Sequence, residues 1–341
     1  MHEARLYEKL GEGKVRCHLC AHRCTIADGK RGICQVRENR KGVLYTLVYG
    51  LSISQAVDPV EKKPLFHFYP GSTAFSYATV GCNFRCSFCQ NWQISQMVHD
   101  EGRLVGHDAS PNHLASAARH YGCKSIAYTY TEPTIFFEYA YDTAVIAAKW
   151  NIKSIYVTNG YMTEEMLDAF GPYLHAANVD LKAFSDDSYR TVCGARLQPV
   201  LDAIKAMKER GIWVEITTLV VPGLNDSEDE LREIAQFIAQ EAGKDTPWHV
   251  SRFRPDYQMR DRPATPLATL DRAREIGLEA GLRYVYQGNV PGTEGENTYC
   301  YNCHNLLIRR YGFGVLQNLI LSESKCPYCG AVIDGVGLDG K

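Results

Sequence analysis

Thirteen cysteines in a chain of 341 residues fall almost entirely into three tight sets, and their spacing is the clearest chemical signal in the sequence. In TVGCNFRCSFCQNW, Cys82, Cys86 and Cys89 stand at C-x3-C-x2-C. Three thiolates this close can ligate three irons of a [4Fe-4S] cubane and leave the fourth iron bare. A bare iron can chelate a small molecule through an amine and a carboxylate, just as an open coordination position marks a catalytic rather than a structural zinc. A zinc site completed by a distant residue is the competing use of the same thiols. At the C-terminal end, Cys300, Cys303, Cys326 and Cys329 form two C-x2-C knuckles separated by 22 residues. Four thiolates so arranged close a tetrahedron of the structural Zn²⁺ type, with a rubredoxin-like iron or an accessory Fe-S cluster as alternatives. At the front, Cys17, Cys20, Cys24 and Cys34 follow C-x2-C-x3-C-x9-C. This spacing suits zinc or a second Fe-S cluster and does not choose between them. Cys123 and Cys193 are left over and read as core residues.

Further candidates stand where apolar runs end. In YTYTEP, residues 128–133, Thr131 and Glu132 precede Pro133, a combination that also suits the start of a helix. YVTNGY ends a strand in Thr158, Asn159 and Gly160, which can equally be an ordinary Asn-Gly turn. In NVDLKAF, Asp180 and Lys182 are two apart on an expected strand and so share one face, with Val179 and Leu181 on the other. A carboxylate and an ammonium directed into an interior cost free energy unless they are paired or used. The next strand places Glu215, Thr217 and Leu219 on one face, and HVSRFRP offers His249 as a pocket residue. The candidate catalytic groups are therefore Lys182, Asp180 and His249.

These residues need a scaffold that gathers strand ends. From Thr73 to about Val290, short apolar runs alternate with helical patterns, the signature of repeated β/α units around a parallel sheet. Strands are expected near 74–80, 125–130, 153–158, 177–183, 212–220, 248–253 and 283–287, with helices near 111–120, 134–149, 163–170, 197–209, 227–241 and 267–280. Six or seven units fall short of a complete eightfold barrel. The expected fold is α/β, a partial (β/α)6-type TIM barrel over 71–290. A Cys-rich metal-binding module occupies 1–70 and a zinc-ribbon-like module 291–341. The site should then lie at the C-terminal ends of the strands.

Composition narrows the partners. Lys plus Arg total 37 against 39 Asp plus Glu, for a net charge of −2. That balance offers no electrostatic footprint for nucleic acid or an anionic membrane. No apolar run is long enough to span a bilayer, and the N-terminus is charged where a signal peptide would be apolar. A cytoplasmic setting is expected, in which clustered thiols serve metals rather than disulfides.

With Phe88 directly before its third cysteine, Cys82–Cys89 resembles the radical S-adenosylmethionine (SAM) signature. Over its whole length, through CHLCAHRC, RGICQVREN, GCNFRCSFCQNW, VTNGYM, WHVSRFRPDY and GNVPG leading into TYCYNCHNLLIRR, the chain resembles AmmeMemoRadiSam-type radical SAM proteins, relatives of the pyruvate formate-lyase activating enzymes. The resemblance implies a (β/α)6-like barrel, one [4Fe-4S] cluster and SAM as co-substrate. It also implies a reducing protein such as flavodoxin or ferredoxin, and Ammecr-type and Memo-type partners. YTYTEP stands where that superfamily carries a Gly-Gly-Glu-type motif, with both glycines missing. By the same resemblance, Thr131, Glu132, Thr158, Asn159, Gly160, Asp180 and Lys182 lie around SAM. Three readings follow: a radical SAM enzyme with an unidentified substrate, an activase of a glycyl radical enzyme, and a non-catalytic multi-metal scaffold.

Overall fold

A single eight-stranded sheet organises the computed structural model, which describes residues 1–339. Its strands are β1 (Ser54–Pro59), β2 (Thr73–Ala78), β3 (Ser125–Tyr128), β4 (Lys153–Thr158), β5 (Leu174–Asp180), β6 (Trp213–Val220), β7 (Trp248–Arg252) and β8 (Val285–Gly288). They lie side by side in chain order. β1 runs antiparallel to β2, and every later neighbour pair is parallel. Parallel neighbours need a crossover, supplied by α1 (Pro111–His120), α2 (Phe137–Ala148), α3 (Glu164–Phe170), α4 (Gln198–Glu209), α5 (Glu228–Phe237) and α6 (Leu267–Glu279). The result is the expected partial barrel of six β/α units plus a seventh parallel strand.

Helix starts are set by local chemistry. Ser110, Thr163 and Ser227 each accept a hydrogen bond from the main-chain N–H three residues on, capping α1, α3 and α5. Alternation along the strands divides the core. Phe75, Tyr77, Ile126, Tyr128, Tyr156, Val179 and Ile216 are buried in the main hydrophobic cluster shared with the helices. Ala74, Ala127, Ile155 and Ala176 pack with Val60, Leu65 and Phe68 instead. The three alanines make room for the segment 60–68, which packs into the interior of the sheet.

Two details differ from the expectation. The strand expected at 177–183 runs Leu174–Asp180, because Ala176 and Ala177 are both fully buried and carry the sheet further back. Asp180 is thus the last strand residue, and Lys182 lies beyond it. Ser54–Pro59 is a polar edge strand that ends on proline, a residue tolerated there because no outer ladder needs its N–H. It lies ahead of the domain boundary placed near residue 70, yet it pairs with the central sheet.

The first fifty residues form two small three-stranded sheets and the last fifty another. Among the described residues no helix is long and apolar enough to cross a membrane.

Candidate active site

A cavity of about 480 Å³ opens at the C-terminal ends of β2–β7. Cys82, Cys86 and Cys89 line one wall, carried by the loop that follows β2. Thr131, Glu132, Thr158, Asn159, Asp180 and Lys182 line the others, so residues widely separated in sequence converge on one space. Gly160 lies just outside the lining, at φ +71, and a Cβ there would fall 2.8 Å from Val179 Cγ1. Only glycine turns the chain away from the sheet at that point without a clash.

Glu132 is the tie between two strand ends. Its Oε1 accepts hydrogen bonds from Thr134 N at 3.0 Å and Thr158 Oγ1 at 2.7 Å, and its Oε2 accepts from Asn159 N at 2.8 Å. Burial pushes its carboxyl above the ordinary range despite these donors. The carboxylate is therefore committed to holding β3 against β4, and Pro133 begins a short helical turn that Glu132 caps. Asn159 carries the tie onward, donating from Nδ2 to Asn83 Oδ1 at 2.8 Å beside Cys82.

Asp180 Oδ2 and Lys182 Nζ are 3.0 Å apart. Burial opposes the lysine's charge, but the adjacent Asp180 carboxylate holds its pKa above the usual value. Cys193, assigned to the core from sequence, is within hydrogen-bonding reach of the Cys86 thiol. The loop is pinned here too, with Arg85 N donating to Cys193 O at 2.8 Å.

Several lining residues escaped the sequence reading. Lys63, only 1% exposed, pairs with Asp58 at 2.7 Å, and Tyr130 donates to the same carboxylate. Burial pushes the Lys63 ammonium down to about 8. The doubled lysine before Pro64 was a visible signal, but the strand that supplies Asp58 was not. Thr217, Leu219 and Ser251 also line the cavity, confirming the face assigned to β6.

His249 is placed elsewhere. It is the second residue of β7, at the N-terminal end of the sheet, where its Nε2 lies 2.7 Å from Glu215 Oε2. Phe66 N and His67 N donate to the same carboxylate at 3.0 and 2.7 Å. Alternation put His249 on the interior face correctly but does not encode depth, and depth separates this buried cluster from the cavity.

The Radical SAM superfamily profile matches residues 76–238, from β2 into the turn after α5. The chain belongs to the radical SAM superfamily. It is 50% identical over 335 residues to the Uncharacterized protein MJ0808 of Methanocaldococcus jannaschii, covering 98% of this chain and 99% of that one. It is 23% identical over 222 residues to the Pyruvate formate-lyase-activating enzyme of Clostridium pasteurianum, covering 61% of this chain and 89% of the relative. Among solved structures, a radical SAM methyltransferase from Sphaerobacter thermophilus shares the fold with a TM-score of 0.51 and 18% identity, covering 67% of this chain and 71% of that one.

Membership of the radical SAM superfamily implies a [4Fe-4S] cluster and SAM, and the residues present fit both. Burial raises the Cys82 and Cys89 thiols above their ordinary pKa, which a coordinated cation would reverse. Donors already face the sulfurs: Phe84 N lies 3.4 Å from Cys82 Sγ and Ser95 Oγ 3.2 Å from Cys89 Sγ. Gln96 lines the cavity with Oε1 buried and without a protein partner, as expected of a group completed by a ligand.

The C-terminal thiols are already arranged for one metal ion. Cys300, Cys303, Cys326 and Cys329 offer sulfurs all within 4.8 Å of one another. Cys300–Cys329 and Cys303–Cys326 are each 3.7 Å apart, close to the edge of about 3.8 Å expected for a tetrahedron with Zn–S bonds of about 2.3 Å. Hydrogen bonds from Asn305 pull the Cys303 thiol down to about 6, favouring the thiolate a metal needs.

Proposed function

We propose that this protein cleaves SAM reductively and uses the resulting radical to abstract hydrogen from a substrate still to be identified. The observation that carries the reading is the convergence of three loop thiols with the strand ends that bear Glu132, Asn159, Asp180 and Lys182 on one 480 Å³ cavity. Cys82, Cys86 and Cys89 would hold a [4Fe-4S] cluster, which when bound would supply the one-electron chemistry that splits SAM into methionine and a 5′-deoxyadenosyl radical. The chain's own residues position and enclose. Glu132 fixes the ends of β3 and β4, Asn159 fixes the cysteine loop against them, and Gly160 lets the backbone turn away. Asp180 and Lys182 present a paired carboxylate and ammonium, suited to an amino-acid end or a ribose hydroxyl. Lys63 and Pro64 close the floor, so reacting groups are held away from bulk water.

Activation of a glycyl radical enzyme is a second reading, favoured by the named relative from Clostridium pasteurianum. Ammecr-type and Memo-type partners, a flavodoxin or ferredoxin as electron donor, and zinc in the C-terminal set belong to the same proposal. They are supported by sequence resemblance and, for zinc, by the 3.7 Å sulfur pairs. A cytoplasmic location suits the thirteen free thiols, eleven of them in the three ligand sets.

The test is anaerobic reconstitution with iron and sulfide, then dithionite and SAM, followed by quantification of 5′-deoxyadenosine. Product is expected from the wild type and none from Cys86→Ala. Wild-type protein with a full cluster and no product would favour the scaffold reading. Deuterium passing from a labelled glycyl peptide into 5′-deoxyadenosine would select the activase reading.

A further inference from the structure

The N-terminal cysteines differ in arrangement from the C-terminal ones. Cys17, Cys20, Cys24 and Cys34 all line one small cavity, together with Ile26 and Arg37. Among the described residues, the only set of three or more His, Cys, Asp or Glu ligand atoms all within 4.8 Å of one another is the C-terminal one, so the N-terminal sulfurs line a small space rather than meet at a point. A tetrahedral zinc draws its sulfurs to about 3.8 Å, whereas a cubane holds its four thiolates about 6 Å apart.

A second, independent observation points into the same cavity. Arg37 is 2% exposed and lines it, and its Nε has no hydrogen-bond partner although both Nη atoms are used on Glu138. A buried cationic donor left open beside four thiols suits an anionic metal–thiolate group. Ile33 N also donates to Cys24 Sγ at 3.5 Å, a contact of the kind that tunes cluster sulfurs.

The module is fastened to the SAM-site loop. His22, between Cys20 and Cys24, places Nε2 2.9 Å from the carbonyl of Asn83, the residue after Cys82. Cys34 O lies 3.4 Å from where a Cβ on Gly81 would sit, directly before Cys82. Ala21 N donates to Tyr161 O at 2.9 Å, beside the Asn159-Gly160 turn.

We propose that Cys17, Cys20, Cys24 and Cys34 hold a second [4Fe-4S] cluster, ligated wholly by protein, that relays single electrons to the site of Cys82, Cys86 and Cys89. The ligand assignment stands on the N-terminal module alone; the relay role rests on the proposed SAM chemistry. One electron arrives from a low-potential one-electron donor of the flavodoxin or ferredoxin class, taking the relay from the 2+ to the 1+ state. The same electron then passes to the SAM-site cluster and returns the relay to 2+. No bond forms or breaks and no proton moves.

The test uses full-length protein reconstituted anaerobically, with iron, sulfide and zinc counted and EPR recorded after dithionite. Wild-type protein should hold about eight irons, against about four for the SAM-site cluster alone, and about one zinc. The Cys82→Ala/Cys86→Ala/Cys89→Ala variant should keep about four irons and a reduced-cluster signal that SAM leaves unchanged. Cys17→Ser/Cys34→Ser should keep about four irons with a signal that SAM alters, and flavodoxin should reduce it at least tenfold more slowly than wild type. About four irons and two zincs in wild-type protein would overturn the ligand assignment without recourse to any variant. An undiminished reduction rate in Cys17→Ser/Cys34→Ser would overturn the relay. Eight irons with no 5′-deoxyadenosine would sink the proposed function and leave the second cluster standing.

Discussion

Replacing Glu138 with Gln tests how the N-terminal module is attached. Glu138 is fully buried on α2 and Arg37 is 2% exposed. Its Oε2 takes Arg37 Nη1 at 2.9 Å, and its Oε1 takes Arg37 Nη2 at 3.1 Å and Arg5 N at 2.6 Å. In Glu138→Gln the amide oxygen best serves the two donors at the Oε1 position, leaving an NH₂ facing Nη1. One charge-assisted bond is lost, a donor opposes a donor, and Arg37 loses the buried carboxylate that pairs with it. Breaking one side of a buried pair costs about 3–5 kcal/mol. Unfolding entropy of about 2.1 cal/mol/K per residue gives this chain about 0.7 kcal/mol/K, so Tm should fall by about 4–7 °C. The assay is thermal unfolding by circular dichroism of the reconstituted protein. Arg37→Met/Glu138→Leu should recover more than half of the loss, the remainder reflecting the Arg5 amide left without its acceptor. A fall of less than about 1 °C in Glu138→Gln, or a double variant no more stable than the single one, would show that the pair does not anchor the module.

Four more outcomes follow from the geometry. Burial pushes Lys63 down to about 8, while the unfolded chain keeps that proton to about 10.4. Unfolding therefore takes up a proton between those values, and stability should rise across them by up to about 3 kcal/mol, a rise that Lys63→Met should flatten in urea titrations at stepped pH. Asn159→Ala removes the bond to Asn83 and should slow 5′-deoxyadenosine formation about tenfold, as expected for about 1.4 kcal/mol, with iron content unchanged. Gly160→Ala forces a Cβ to 2.8 Å from Val179 Cγ1 at φ +71 and should cost about 1–3 kcal/mol in chemical denaturation. Cys326→Ser should lose the C-terminal metal and speed hydrogen exchange at the Phe66 and His67 amides, leaving α1 amides unchanged.

How much the sequence revealed depended on whether the signal was local. Alternating apolar runs located seven parallel strands and six helices because each unit carries its own period and cap, as Ser110 and Ser227 show. Thr131, Glu132, Thr158, Asn159, Asp180 and Lys182 converge because parallel strands present the same end to one side. Glu132, expected beside a ligand, does line the cavity, and it also spends its carboxylate on Thr134, Thr158 and Asn159, contacts invisible in sequence because they form only when β3 and β4 are side by side. His249 was misplaced along the barrel axis because period 2 fixes face and not depth. Lys63 and Asp58 were missed because a polar edge strand ending in proline lacks the apolar pattern that marks a strand.

The two flanking modules meet the same site from different directions, which argues against treating either as a detachable appendage. From the front, His22 bonds to Asn83 next to Cys82, so any displacement of the N-terminal thiols moves the cysteine loop. From the back, Arg310 is 3% exposed and its Nη2 donates to Phe66 O at 2.9 Å, while its guanidinium lies 4.3 Å from the Phe66 ring. His67 Nδ1 contacts Asp334 O at 2.6 Å and its Nε2 contacts Tyr286 at 2.6 Å. The segment thus clamped continues to Lys63 and Pro64, which floor the cavity. Asn178 Nδ2 donates to Pro64 O at 2.8 Å and Thr217 Oγ1 to Asn178 Oδ1 at 2.9 Å, carrying the clamp up to a residue of the cavity wall. Metal loss at the C-terminal thiols should therefore reach the site through the floor, and loss at the N-terminal thiols through the loop. The two should be distinguishable: the first perturbs Lys63 and its proton, the second the sulfurs of Cys82, Cys86 and Cys89.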